Sequence, residues 1–530
     1  MVALLVVGLV LPVAILNLSA ARPTATPFPL ARGTGIVRIA GWAPATYDPA
    51  MQGDAGTAAL LAQLFEGLTA FDASLAVKPA LAQSWNIDPG GLDITFRLRP
   101  GLTFSDGTPL TAQDVVTSWL RILDPARPGP LASLLDDVVG AVAYRQGRGP
   151  RSSVGISARG DTVSVRLVKP AAYFPAIAAN PALAVVPPGE AAALDGSEPP
   201  GRFVGSGGYT VAAADATSIT LRANPRYWAG PPAIATVVVV TDLGGTNPVD
   251  AFTAGEVDYV PIDESDARWV RYDPQLGPQL RAEPSLSVTY YGFDARRPPF
   301  NDVRVRRAFA WAVDWRRIAL LADGPDAVAT SIVPPGIPGR SSADYVPRFN
   351  PAAARAQLAA AGYPDGQGLP PITLVTPGTT YDDAVVAQLR QNLGLSIPLE
   401  VMPAGAYTQR LLDDTPPMWS MSWIADYPAQ EDFLGILLQS DGTSNYGGWK
   451  NAAFDTDLDA AGGATDPAAQ ARAYAAAQAI LADQVPVVPV SYAAAGSQGD
   501  VAWALSRNGL LGAATSGIGI PRFAGLAWGH

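Results

Sequence analysis

Leu92–Arg99 reads LDITFRLR, and after a short interval Phe104–Pro125 reads FSDGTPLTAQDVVTSWLRILDP. In the first stretch Ile94, Phe96 and Leu98 alternate with Asp93, Thr95 and Arg97, the period-two pattern of a half-buried strand that pairs antiparallel nearby. In the second, Ser105-Asp106-Gly107 makes a turn. Thr111 then stands three residues before Asp114, as a capping box requires, and Val115, Val116, Trp119 and Leu123 share one broad helical face. Asp124-Pro125 closes the helix. A strand, a turn and a capped amphipathic helix in direct succession place this region in a mixed α+β body.

The same reading extends in both directions. Gly35–Ala40 opens a strand, and Asp54 caps a helix carrying Leu60, Leu61 and Leu64. Asp161–Val168 and Thr217–Ala223 alternate like the first strand, whereas Thr236–Thr241 (TVVVVT) is a continuous run of the buried type. A second lobe begins with the strand Ser287–Phe293, followed by a helix capped at Asn301 in which Asp302 favours the N-terminal dipole and Val305, Phe309, Ala312 and Val313 face a core. Asn350-Pro351 and Asp466-Pro467 each pair a cap with proline at the first helical position. Val485–Tyr492 (VPVVPVSY) returns to an extended strand whose Pro486 and Pro489 predict an edge or a crossing back to the first lobe.

Composition narrows the chemistry. The chain has 530 residues, 48% of them hydrophobic, a formal net charge of -11, no cysteine and one histidine, the terminal His530. That length suits two or more packed lobes. Disulfides, thiolate nucleophiles, iron–sulfur clusters and Cys-type zinc sites are excluded, and a Ser-His-Asp triad or a His-rich metal centre lacks its essential atom. No cofactor or metal is expected. The acidic balance disfavours nucleic acid. Lysine occurs only at Lys78, Lys169 and Lys450. Residues 1–21 begin with an almost unbroken apolar run, MVALLVVGLVLPVAILNL, and read as a signal peptide or membrane anchor; residues 22–35 form a Pro/Thr linker. Together they predict an extracytoplasmic protein, periplasmic or at the cell surface.

Several separated blocks, in order, resemble the extracellular solute-binding proteins of family 5, the peptide/nickel class that serves ABC importers. The oligopeptide-binding branch is the nearest. The blocks are LFEGLTAFD (Leu64–Asp72), KPALAQSW (Lys78–Trp85), the Phe104–Pro125 stretch, GSGGYTV (Gly205–Val211) and RANPRYW (Arg222–Trp228). They continue with AGEVDYV (Ala254–Val260), PPFNDVRVRRAFAWAVD (Pro298–Asp314), SWIADYPAQEDFL (Ser422–Leu434) and NAAFDTDL (Asn451–Leu458).

The resemblance implies an α/β bilobed periplasmic-binding-protein clamshell, type II and cluster C-like, with an additional α+β domain inserted in the N-terminal lobe. Lobe I would combine residues 36–56, 185–270 and 486–530; the additional domain would span 57–184 and lobe II 271–485. It also implies a non-enzymatic monomer that captures a small solute, an oligopeptide in this branch, and delivers it to ABC permease subunits. The family's Ala-Asp-Tyr block assigns Asp426 to the ligand's α-amino group, and Trp423 to the wall beside it. Tyr290, Trp42, Asn445 and Tyr446 are further expected contacts. Two departures stand out. Ala429-Gln430 replaces an acidic-Pro pair, and Ser420 stands where the oligopeptide branch carries an arginine for a peptide carboxylate. The second departure weakens the case for short free peptides and leaves longer, capped or non-peptide ligands, such as sugars or metal chelates, as alternatives. A secreted carbohydrate-active enzyme and a sensory surface protein are the readings from other classes.

Overall fold

The structure is a computed structural model, and it describes residues 35–528 apart from 73–74, 190–203, 285, 324–326, 493–500 and 513–522. The expected N-terminal signal or anchor, nearly all of the linker and His530 lie outside the described residues.

Three sheets organise three bodies. A seven-stranded sheet has the order Leu280–Pro284, Val501–Ser506, Tyr259–Ile262, Ile36–Ala40, Thr236–Val240, Ser218–Ala223, Tyr209–Ala214. Ile36–Ala40 lies parallel to both its neighbours, and the remaining pairs are antiparallel. A five-stranded sheet has the order Leu399–Val401, Leu374–Thr376, Met418–Ile424, Ser287–Phe293, Val487–Ser491. The third sheet is antiparallel and four-stranded, in the order Ala82–Ile87, Asp93–Leu98, Thr162–Arg166, Ile156–Arg159.

The opening stretch forms the centre of this four-stranded body. In Asp93–Leu98 the residues Ile94, Phe96 and Leu98 are buried while Asp93 and Arg97 are exposed, as the alternation requires. Asp114 reaches back to the Thr111 N–H at 2.7 Å, starting the helix Ala112–Ile122. Its Trp119 packs edge-on against Phe96 at 6.5 Å and donates its indole N–H to Leu183 O at 2.8 Å. Burying a tryptophan with its one donor satisfied costs little and contributes a large apolar area.

Several expectations change. The helix Ala55–Leu64 packs Leu60, Leu61 and Leu64 into the core of the seven-stranded sheet, so the additional domain starts near residue 65 rather than 57. Leu280–Pro284 pairs with Val501–Ser506, which moves the start of the second lobe from 271 to about 286. Val487–Ser491 does not return to the first lobe: it pairs with Ser287–Phe293 as the last strand of the five-stranded sheet, with a register shift beside Pro489, and both an end strand and an irregularity tolerate proline. Thr236–Val240 is buried on one face only, at Val237 and Val239. Its other face is only partly covered, Val240 packing against the smaller cluster around Val249, Phe252 and Val260. The chain therefore passes between the two large sheets at 284–287 and again between 491 and 501.

Candidate functional site

A cavity of about 430 Å³ lies where the additional domain meets the second lobe. Asp136, Asp137, Lys169 and Ile177 line it from the additional domain; Trp423, Asp426, Tyr427, Glu431 and the 441–444 loop line it from the second lobe. That volume falls in the range of small-molecule sites. The wall from the second lobe follows from local sequence. Met418–Ile424 delivers Trp423 at its end, the chain turns at Asp426-Tyr427-Pro428, and the helix Gln430–Leu438 begins. Beyond it the loop folds tightly back: a side chain at Gly442 would meet the carbonyl oxygens of Gly435 at 2.5 Å and Ile436 at 2.7 Å.

Three acidic side chains crowd this turn, and each has a different environment. Asp432 is fully buried; it accepts the Trp423 indole N–H at 2.8 Å and the Asp426 backbone N–H at 3.2 Å. Burial, followed by the neighbouring Asp426 charge, raises its pKa well above the ordinary range. Glu431 is buried, accepts the Tyr427 hydroxyl and is pushed up to about 7 by burial, which the Lys169 charge only partly offsets. Asp426 is half-buried and raised to about 6 by burial. Unlike its neighbours, its carboxylate accepts no hydrogen bond among the described residues. The turn-capping role that a lone reading of Asp-Tyr-Pro suggests is performed by Asp432, and Asp426 lines the cavity.

The opposite wall is tied to this one by several contacts. Tyr173 stacks on Tyr427, Asn180 Nδ2 donates to Asp426 O at 3.1 Å, and Ala172 N donates to Gly462 O at 2.8 Å. Lys169 Nζ donates to Gln439 Oε1 at 2.9 Å and sits 3.4 Å from Asp137. Burial alone would depress the Lys169 ammonium, but the carboxylates of Asp137, Glu431 and Asp441 outweigh it and hold the group above its ordinary pKa. It is a charged ammonium at neutral pH.

The other expected contacts do not converge here. Tyr290 is 1% exposed; its ring packs edge-on to Trp419 inside the second lobe's core, and its hydroxyl is buried without a hydrogen-bond partner among the described residues. It faces inward because Ser287–Phe293 is a central strand covered on both faces. Asn445 spends its amide donors on Gln439 O and Trp449 O, which shapes the loop. Tyr446 packs edge-on against Trp419 and gives its carbonyl to Thr415. Trp42 lies on the other large body, 64% exposed, at the mouth of a separate apolar cavity of about 50 Å³ with Ile39, Leu60 and Val239.

Sequence reading missed Lys169, Asp137, Tyr173, Glu431 and Asp432. One signal was available: Gln430-Glu431-Asp432 opens a helix that is otherwise almost wholly apolar, FLGILL, so its acids had to be buried.

The family model for the bacterial extracellular solute-binding proteins, family 5 middle, matches residues 76–445. Among curated relatives, the probable deoxycholate-binding periplasmic protein YgiS of Escherichia coli is 32% identical over 465 residues, 85% of this chain and 86% of that protein. The periplasmic oligopeptide-binding protein OppA of Salmonella typhimurium is 28% identical, with 81% of each chain covered. Among solved structures, clavulanic acid biosynthesis oligopeptide binding protein 2 superposes with a TM-score of 0.80 at 24% identity, covering 93% of this chain and 95% of that one. The unliganded open form of the murein tripeptide binding protein MppA gives 0.75 at 24% identity, covering 93% and 97%.

Proposed function

The chain belongs to the bacterial extracellular solute-binding proteins of family 5, the substrate-binding components of ABC importers, and from that premise we propose that it captures oligopeptides outside the cytoplasm and presents them to a membrane permease. Capture would proceed by closure of the two large bodies, and a ligand that binds the closed arrangement better shifts the population toward it. No covalent chemistry is involved. Peptide backbone recognition and trapped water would accommodate differing side chains.

One observation carries this reading: Asp426 lines a cavity of ligand size and its carboxylate accepts no hydrogen bond among the described residues, whereas those of Asp432, Glu431 and Asp137 are engaged. A ligand ammonium would supply the missing partner through a charge-assisted hydrogen bond, which closure of the lobes shields from water. Trp423, held by its bond to Asp432, would form a rigid apolar wall beside it. The test is native mass spectrometry of the purified protein with a pool of peptides two to eight residues long, free and N-acetylated. Retention of free peptides that acetylation abolishes is the expected result; no retained peptide would overturn the reading.

A second reading has one observation in its favour. One relative, 32% identical, is named as probably deoxycholate-binding. An amphipathic carboxylate is then the alternative ligand, and deoxycholate added to the same assay discriminates the two.

A further inference from the structure

Among the described residues Lys169 is the only cationic side chain on the cavity wall. Its ammonium has three donors, of which Gln439 takes one at 2.9 Å and Asp137 lies at a long 3.4 Å; the third meets no acceptor among the described residues. The side chain is 25% exposed, so the charge is largely removed from bulk water yet reachable from the cavity. Asp137 is also held by the Tyr173 hydroxyl at 2.8 Å, and Asp136 pairs with Arg145 at 2.7 Å. The acids on that wall are therefore engaged.

We propose that Lys169, reaching from the additional domain, binds the carboxylate end of the ligand whose amine meets Asp426, so that the cavity selects short zwitterionic peptides by both termini. The inference rests on the peptide reading above. It assigns to the opposite wall a charge that Ser420 does not supply, and it gives the additional domain a direct part in selectivity. A cavity of about 430 Å³ holds both ends only of a short ligand. Longer peptides would have to leave one terminus outside and forgo one of the two ion pairs.

The test uses a mixed-sequence tripeptide pool in free, N-acetylated and C-amidated forms, titrated against the full-length protein and its Lys169→Met and Lys169→Arg variants. The wild type should bind the free pool about tenfold more tightly than the amidated pool, the scale of one partly buried charge contact. Lys169→Met should bring that ratio to near one while discrimination against acetylation persists, and Lys169→Arg should retain the preference. A wild type indifferent to amidation, or a Lys169→Met protein that keeps the full preference, would overturn the inference and leave the peptide reading standing. A wild type that binds none of the pools would overturn both.

Discussion

The ring of Tyr173 lies face to face with the ring of Tyr427, centroids 6.1 Å apart and planes 11° from parallel. One comes from the additional domain and the other from the second lobe. Tyr173 donates its hydroxyl to Asp137 and Tyr427 donates to Glu431, a carboxyl that the Tyr173 hydroxyl also reaches. The seam is thus an aromatic stack edged by buried carboxylates, and separating its walls exposes both rings and Glu431 together.

Removing the Tyr173 ring should be felt as packing loss. Tyr173→Ala is expected to lower unfolding stability by about 3 kcal/mol, whereas Tyr173→Phe, which keeps the ring and loses the hydroxyl's bonds, should cost about 1 kcal/mol. Urea denaturation measures both. Two variants as stable as the wild type would show that the stack contributes nothing.

Affinity for an amine ligand should depend on pH through Asp426. Its carboxyl, raised to about 6, is neutral below that pH and cannot pair with an ammonium. Binding should therefore strengthen between pH 5 and about 7.5, before the ligand amine itself loses its proton near pH 8. Glu431 and Asp432 on the following helix, Asp441 on the loop, and Asp137 and Lys169 on the facing wall bear on the same field. Asp426→Asn isolates the contribution of Asp426. Titration calorimetry at several pH values should give a flat, weak profile for that variant, and a steep one would remove Asp426 from the contact.

Glu431 links stability to pH in a defined direction. Its folded pKa is raised from 4.5 to about 7, so the folded state holds the proton more tightly than the unfolded chain. The associated stabilisation is complete below about pH 4.5 and is lost as pH rises through 7, by up to about 3 kcal/mol. Glu431→Gln, which cannot ionise, should flatten the fall in melting temperature between pH 5.5 and 8 and melt higher than the wild type at pH 8. Parallel pH profiles for the two proteins would contradict this.

At Gly462 a side chain would stand 2.3 Å from the Pro170 carbonyl oxygen, beside the bond from Ala172 N to Gly462 O. Gly462→Ala should push the additional domain away from the second lobe, cost about 1–3 kcal/mol and weaken ligand binding. Small-angle scattering should record a larger radius of gyration. An unchanged radius with unchanged affinity would show that the seam absorbs the methyl group.

What the sequence determined by itself is local or ordered along the chain. The alternation in Asp93–Leu98 and the cap joining Thr111 to Asp114 both involve residues a few positions apart, whose preferences are set by backbone geometry and short-range hydrogen bonds. The succession of blocks from Leu64 to Leu458 likewise identified the family and its clamshell. Tertiary structure alone decided which strands share a sheet at the crossings, that Tyr290 turns into the core, and that Lys169 meets Gln439 across 270 residues. Those outcomes depend on the packing of whole faces and on which charges can be desolvated together. Such energies belong to pairs brought close by folding, and no spacing along the chain encodes them.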